Sequence, residues 1–255
     1  MHLIDTHSHL YLPDFNDDFN DVVQRAVTSG IQKIILPNID SATIQNLHQR
    51  VSSYPDLFIP LMGLHPTHVK KNYADELEII VRQFEKYNYK GIGEIGIDLY
   101  WDKTFLEEQV FVFESQLRLA IEKKLPVVIH ARESFDEIFK SVTKPEFKGL
   151  KGIFHAFTGD IEQAKFIINL GLKIGIGGIL TYKNSGLTNV IEAIELENIV
   201  LETDSPFLPP VPYRGKRNES SYIVKIAEKI AEIKNLELNE IAEITTKNAK
   251  LIFGL

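Results

Sequence analysis

Gly91-Ile92-Gly93-Glu94-Ile95-Gly96 fits the spacing G-x-G-x-x-G, and the reading of that stretch decides the fold. In a dinucleotide-binding domain such glycines follow a strand and open a helix, so that phosphates meet the helix N-terminus. Here the glycines lie inside a strand-like run, and Ile97-Asp98-Leu99-Tyr100-Trp101 continues as loop. The fingerprint is therefore rejected. The small residues instead allow close packing in a barrel wall and leave one carboxylate, Glu94, projecting beside Asp98. A carboxylate on a buried strand is costly unless it is paired or bound to metal. Glu94 is a candidate metal ligand on that ground.

Outward from this run, short β-branched or apolar segments alternate with longer amphipathic ones, the pattern of repeated βα units. The strand candidates are Leu3–Asp5, Gln32–Leu36, Phe58–Gly63, Gly91–Ile95, Val127–His130, Gly152–His155, Leu172–Ile176 and Ile199–Glu202. Helical patterns fall between them: Asp18–Ser29, Ser41–Ser52, Tyr73–Lys86, Phe105–Lys124, Ser134–Val142, Ile161–Asn169 and Leu187–Ile194. Eight such units in 255 residues predict an α/β fold of the (β/α)8 TIM-barrel type, for which about 250 residues is typical. An open doubly wound sheet is the alternative. The tail from Ser220 to Leu255 is expected to continue as helix and to close the outer ring or cover the barrel bottom. No linker, repeat or low-complexity segment divides the chain, so residues 1–255 are read as one domain.

Metal-grade side chains sit at or just past the ends of five of these runs: His7 and His9, Glu94, His130, His155 and Asp204. Parallel strands of a closed barrel would bring them together, because barrel active sites lie at the strands' C-terminal ends. His7 and His9 are two apart, so in extended chain both imidazoles point to one face, roughly 6.6 Å apart from twice the strand rise. His130 and His155 end Pro-Val-Val-Ile-His and Gly-Ile-Phe-His. A lone histidine at a strand end is usually a hydrogen-bonded structural residue, but two on successive strands are harder to explain by packing. Glu202 and Asp204 share a face in Leu-Glu-Thr-Asp, so Asp204 can bind metal while Glu202 orients a ligand from behind. His65 and His68, after the third strand, could meet substrate or simply face water; His2 and His48 are read as filler.

Bulk composition narrows the class. Hydrophobic residues make up 44% and charged residues 25%, ordinary for a globular protein, and no segment stays apolar for the ~18 residues a membrane span needs. The N-terminus shows no basic leader before a long apolar stretch, so a cytoplasmic location is the default expectation. The sequon Asn218-Glu219-Ser220 carries no weight without a secretory signal. Cysteine is absent, so any metal is held by nitrogen and oxygen. A net charge of −7 argues against a surface that coats nucleic acid, which needs clustered Lys and Arg. Only local basic sites remain: Lys70-Lys71, Arg132 and Arg214-Gly215-Lys216-Arg217.

Taken in order, Ile-Asp-Thr-His-Ser-His-Leu, Gly-Leu-His-Pro, Gly-Glu-Ile-Gly-Ile-Asp, Pro-Val-Val-Ile-His-Ala-Arg, His-Ala-Phe-Thr-Gly, Leu-Glu-Thr-Asp-Ser-Pro and Arg-Gly-Lys-Arg-Asn-Glu resemble the TatD family of metal-dependent deoxyribonucleases over residues 4 to 219. The resemblance implies a barrel of the amidohydrolase-like group and a divalent-metal hydrolase acting on DNA ends. It implies metal binding at His7, His9, Glu94, His130, His155 and Asp204, and phosphate contacts from His65 and Arg132. One departure is Ser220, where members often carry proline; it bears on the stiffness of that loop.

Four histidines and two carboxylates exceed the needs of one tetrahedral ion, so two divalent metal ions (Mg, Mn or Zn) are expected, roughly 3.5–4 Å apart. In this reading Glu94 bridges them, with His7, His9 and Asp204 on one and His130 and His155 on the other. A metal-activated water then attacks phosphorus, Asp204 accepts its proton, and Arg132 and His65 neutralise the phosphate oxygens. The DNA substrate is expected to enter by a strand end, as in an exonuclease; no membrane and no obligate protein partner is indicated. An amidohydrolase or lactonase acting on a small molecule at the same metals is the alternative. Many such enzymes bridge their metals with a carboxylated lysine, and here Lys90 lies only at the strand start. A non-enzymatic metal-binding module would need neither Arg132 nor so many ligands.

Overall fold

Alternate residues of a strand point to opposite faces, and in this chain that rule builds a wall with an apolar lower layer and a polar upper one. The computed structural model describes residues 1–255. Eight strands run parallel: β1 (Leu3–Asp5), β2 (Ile31–Pro37), β3 (Phe58–Leu61), β4 (Ile92–Asp98), β5 (Val127–Arg132), β6 (Gly152–Phe154), β7 (Lys173–Ile176) and β8 (Ile199–Leu201). They form two hydrogen-bonded groups, β1-β2-β3 and β4 through β8. Single parallel bridges, Met62 with Ile92 and Ser8 with Ser205, join the groups at both seams. Backbone bonds from Thr6 N–H to Leu201 O (3.0 Å) and from Asp204 N–H to His7 O (2.9 Å) seal the second seam. The result is the (β/α)8 barrel that the alternating pattern predicts.

The outer helices are α1 (Phe19–Thr28), α2 (Ile44–Ser53), α3 (Tyr73–Gln83), α4 (Leu106–Lys123), α5 (Phe135–Val142), α6 (Ile161–Asn169), α7 (Leu187–Ala193), α8 (Ile223–Lys234) and α9 (Leu238–Phe253). Their starts show the expected chemistry only in places. At α6 the Asp160 carboxylate accepts from Gln163 N–H and the Gln163 side chain accepts from Asp160 N–H, so two otherwise orphaned donors are satisfied.

Two boundaries differ from expectation with consequences. β4 runs on to Asp98 rather than stopping at Ile95, and its register against β5 shifts between Ile92 and Ile95. The tail is not one helix: Asn235 adopts a left-handed conformation (φ 53°) that ends α8 and lets α9 turn under the barrel.

Inside the barrel, Ile4, Ile35, Ile59, Leu61, Val128, Ile153 and Val200 pack with Ala249 and Phe253 of α9. The Asn248 side-chain amide fixes that helix by donating to Leu196 O (2.8 Å) and Ile199 O (2.7 Å). The N-terminal end of the barrel is thus plugged with hydrocarbon. Two residues further along the same chain directions stand His130 above Val128, His155 above Ile153, and Glu202 above Val200. Polar groups are thereby confined to the C-terminal mouth. No helix is long and apolar enough to cross a membrane.

Candidate metal centre

Glu94 lies at the middle of the mouth with its side chain 3% exposed, and its two carboxylate oxygens face different sets of histidines. Oε2 is 3.1 Å from His7 Nε2 and 3.4 Å from His9 Nε2. Oε1 is 2.9 Å from His130 Nδ1, 3.2 Å from His65 Nε2 and 3.6 Å from His155 Nε2. Asp204 closes the first side, its Oδ1 lying 3.5 Å from His9, 3.8 Å from His7 and 3.9 Å from His155. Three sets of ligand atoms are close enough to share an ion: His7, His155 and Asp204; His7, His9 and Glu94; His65, Glu94 and His130.

The strand ends explain why these side chains converge. β6 and β8 stop just before His155 and Asp204, and the backbone then turns sharply: Ala156 and Asp204 both have positive φ (43° and 59°). Aspartate tolerates this better than most residues. A network beneath ties β1 to β8, as Asp5 accepts hydrogen bonds from Thr203 N–H (3.0 Å), Thr203 Oγ1 (2.6 Å) and His7 N–H (3.3 Å).

Neighbours orient the imidazoles. The Tyr11 hydroxyl donates to Pro37 O (2.6 Å), so toward His9 Nδ1 at 2.9 Å it can only accept. His9 therefore carries its proton on Nδ1 when neutral and turns a bare Nε2 toward Glu94, the form a metal ion requires. His155 Nδ1 lies 2.9 Å from Glu202 Oε1, which leaves Nε2 for the cluster. His130 is held on the far side by Asp98, 2.8 Å from Nε2.

The charge balance fits a cation. Burial alone would raise the Glu94 carboxyl, but His65, His7 and His155 hold it well below the usual carboxylate range. Asp204 is lowered in the same way, against burial, by His9 and His155. Burial disfavours charge on His155, yet Glu202 and Glu94 raise it to about 10; Asp204 and Glu94 likewise raise His9 to about 9. Burial and His155 push His7 down to about 4. The cluster thus balances two ionised carboxylates with protons on His9 and His155, and sets His9 Nε2 only 3.1 Å from Nε2 of the neutral His7. Divalent cations supply the same positive charge with every imidazole neutral, so these residues fit a metal site of nitrogen and oxygen donors.

All six expected ligands, His7, His9, Glu94, His130, His155 and Asp204, meet in this one cluster. His65, expected to touch phosphate, stands 3.2 Å from Glu94 within the cluster, and His155 stacks on His7 (ring centroids 3.4 Å) rather than beside His130 (6.4 Å). Arg132 is at the rim, its guanidinium 3.8 Å over the Tyr100 ring. Of the other basic candidates, Arg217 is paired with Asp18 (2.7 Å) and Lys70 with Asp102 (2.9 Å). His48 contacts the Tyr89 hydroxyl (2.8 Å), and His68 is half exposed beside Asp40. Sequence reasoning gave no role to Tyr11 or Asp98. The signal for Tyr11 was its place two residues beyond His9 in the same alternation.

A barrel with histidines and carboxylates gathered at its C-terminal mouth defines a metal-dependent hydrolase. The family described as TatD related DNase matches residues 4–254, and the chain belongs to it. The chain is 35% identical over 254 residues to the uncharacterised metal-dependent hydrolase YabD of Bacillus subtilis, covering 99% of each. It is 31% identical over 255 residues to the uncharacterised metal-dependent hydrolase YjjV of Escherichia coli. The crystal structure of YjjV, a TatD homologue, superposes with a TM-score of 0.93, covering 99% of this chain and 98% of that one.

Proposed function

We propose that the protein is a two-metal phosphodiester hydrolase that acts on DNA at strand ends. The observation that carries this reading is the bridging disposition of Glu94, one oxygen toward His7 and His9 and the other toward His65, His130 and His155. In this arrangement His7, His9, Glu94 and Asp204 would hold one divalent ion, and Glu94 and His130, with His65 or His155, would hold a second. When bound, the ions supply a nucleophile from water near neutral pH and stabilise charge on the phosphoryl oxygens. Asp204, at 14% exposure against 3% for Glu94, is the carboxylate open to the mouth and accepts the proton of the attacking water. Glu202 Oε1, which accepts from Ala156 N–H (2.6 Å), lies 2.9 Å from His155 Nδ1 and favours a proton there, so that Nε2 is presented to the cluster. Arg132, held on an aromatic face rather than by a carboxylate, meets a phosphate oxygen at the rim. With Arg217 and Lys70 already paired, only Lys71, Arg132, Arg214 and Lys216 of the local basic candidates are left to meet phosphate, a small set that suits a strand end more than a long duplex.

The test is digestion of end-labelled linear DNA and RNA and of a covalently closed single-stranded circle by protein loaded with magnesium, manganese or zinc, beside a panel of lactones and amides. Stepwise, metal-dependent release of nucleotides from linear DNA is expected. Efficient cutting of the circle overturns action at ends. Ring opening of lactones with no phosphodiester cleavage assigns the site to a small molecule instead.

A further inference from the structure

Three exposed aromatic residues stand on loops leaving the C-terminal ends of strands: Tyr100 and Trp101 after β4, and Phe207 after β8. The other exposed rings, Tyr87, Phe111 and Phe166, lie on or just past the outer helices. Trp101 is the chain's single tryptophan and is 68% exposed. Strands follow in order around this barrel, so β4 and β8 are opposite one another and the two aromatic sites flank the Glu94 cluster.

Both sites are fastened to that cluster. Asp98 Oδ1 accepts from Tyr100 N–H (3.0 Å) and Trp101 N–H (3.2 Å), while its other oxygen lies 2.8 Å from His130. Phe207 N–H donates to Asp204 O (2.8 Å), and its ring is 6.2 Å from the His9 ring. The Arg132 guanidinium, 3.8 Å from the Tyr100 centroid and 5.4 Å from that of Trp101, adds a flat cation to the first surface.

We propose that these are two nucleobase subsites, one on each side of the scissile phosphodiester: the face of Trp101 stacks one base, braced by Tyr100, which meets it edge-on (4.9 Å, 87°) and carries Arg132 on its own face, and Phe207 stacks the other. The proposal rests on the phosphodiesterase reading. A phosphate held at the Glu94 cluster carries its two nucleosides outward in opposite directions, toward these rings. Aromatic faces accept any base because every base has a π-face, and only an unpaired, unstacked base presents that face. A small lactone or amide would leave both surfaces unused.

Because Trp101 is the chain's sole tryptophan, its fluorescence reports on the first subsite without any turnover. Metal-loaded protein is titrated with a short phosphorothioate-linked oligodeoxythymidylate and with the same backbone built of abasic residues. Quenching by the base-bearing strand, with binding at least about fivefold weaker for the abasic one, is expected from the usual strength of base stacking. On unmodified single-stranded DNA, Trp101→Ala and Phe207→Ala should each lower kcat/KM by at least about fivefold, and Trp101→Phe should restore most of it. Each loss should vanish when the facing nucleotide is abasic. Equal quenching by the abasic backbone, or losses that persist on abasic substrate, overturn the proposal. Base-dependent quenching without cleavage overturns the hydrolytic reading alone, cleavage without such quenching overturns the stacking alone, and the absence of both overturns the two together.

Discussion

Replacing Glu94 by glutamine changes one atom and one charge at the point where both halves of the cluster meet. The amide is the same size, so the packing around a side chain only 3% exposed is kept. What is lost is the anion that faces His7 and His9 with one oxygen and His65, His130 and His155 with the other. Only Asp204 then remains as an anion at the centre, on the His7 and His9 side. Removing one partner of a buried ionic arrangement costs about 3–5 kcal/mol. At about 1.36 kcal/mol per decade, cation affinity should fall roughly 10²- to 10⁴-fold, most severely on the His130 side, where the other carboxylate, Asp98, meets Nε2 of His130 and not the Nδ1 that faces Glu94. Glu202→Gln, which only orients His155, should cost about 10- to 100-fold. Elemental analysis after gel filtration gives stoichiometry, calorimetry gives affinity, and a melt in chelator shows whether the variant is folded. A folded Glu94→Gln protein that retains two tightly bound equivalents refutes the bridging role.

Three further outcomes follow from the same structure. His9 and His155 are raised to about 9 and about 10, so metal-free protein holds protons there at pH 7.5, and metal uptake should release them; calorimetry in buffers of different ionisation enthalpy counts the protons, and a count of zero contradicts the assigned ligands. Their raised values stabilise the metal-free fold fully below about pH 6.5, the ordinary histidine value, and that stabilisation is lost as pH rises through 9 to 10; His7, lowered to about 4, contributes above pH 6.5 and loses its contribution as pH falls toward 4. At the other end of the barrel, Phe253→Ala opens a cavity beneath the apolar layer and should cost about 3–5 kcal/mol in urea unfolding with metal affinity unchanged; a cost below about 1 kcal/mol would mean that α9 is not the plug.

The fold and the convergence of the candidate ligands are legible in the sequence for one physical reason. In a parallel barrel, a residue two places beyond an inward apolar side chain also points inward, so Val-Ile-His and Ile-Phe-His announce ligands as soon as eight strands are counted. What escaped depended on backbone detail that periodicity does not carry. Periodicity puts Asp98 in a loop, because the glycines around Glu94 conceal a strand whose register shifts between Ile92 and Ile95 and which runs on to Asp98. The pattern of the tail predicts continuous helix, although Asn235 is a residue that tolerates the left-handed turn ending α8. For His65 the sequence suggests a phosphate contact but not its closeness to Glu94, because nothing local shows where a turn aims. In the structure Thr67 N–H donates to His65 Nδ1 (3.2 Å) and swings Nε2 onto Glu94.

Exposure was the least legible property of all. An apolar residue read from sequence belongs to the core by default, and in Leu99-Tyr100-Trp101 only Leu99 obeys. The two rings beyond it stay outside because the Asp98 carboxylate, facing inward to His130, binds both of their backbone amides and turns the chain over the rim. A single buried acid thus fixes an imidazole at the metal centre and a pair of aromatic faces at its edge. That coupling makes Asp98→Asn more informative than a surface substitution: it weakens the hold on His130 and on the aromatic loop together, so metal affinity and base-dependent binding should fall in the same variant.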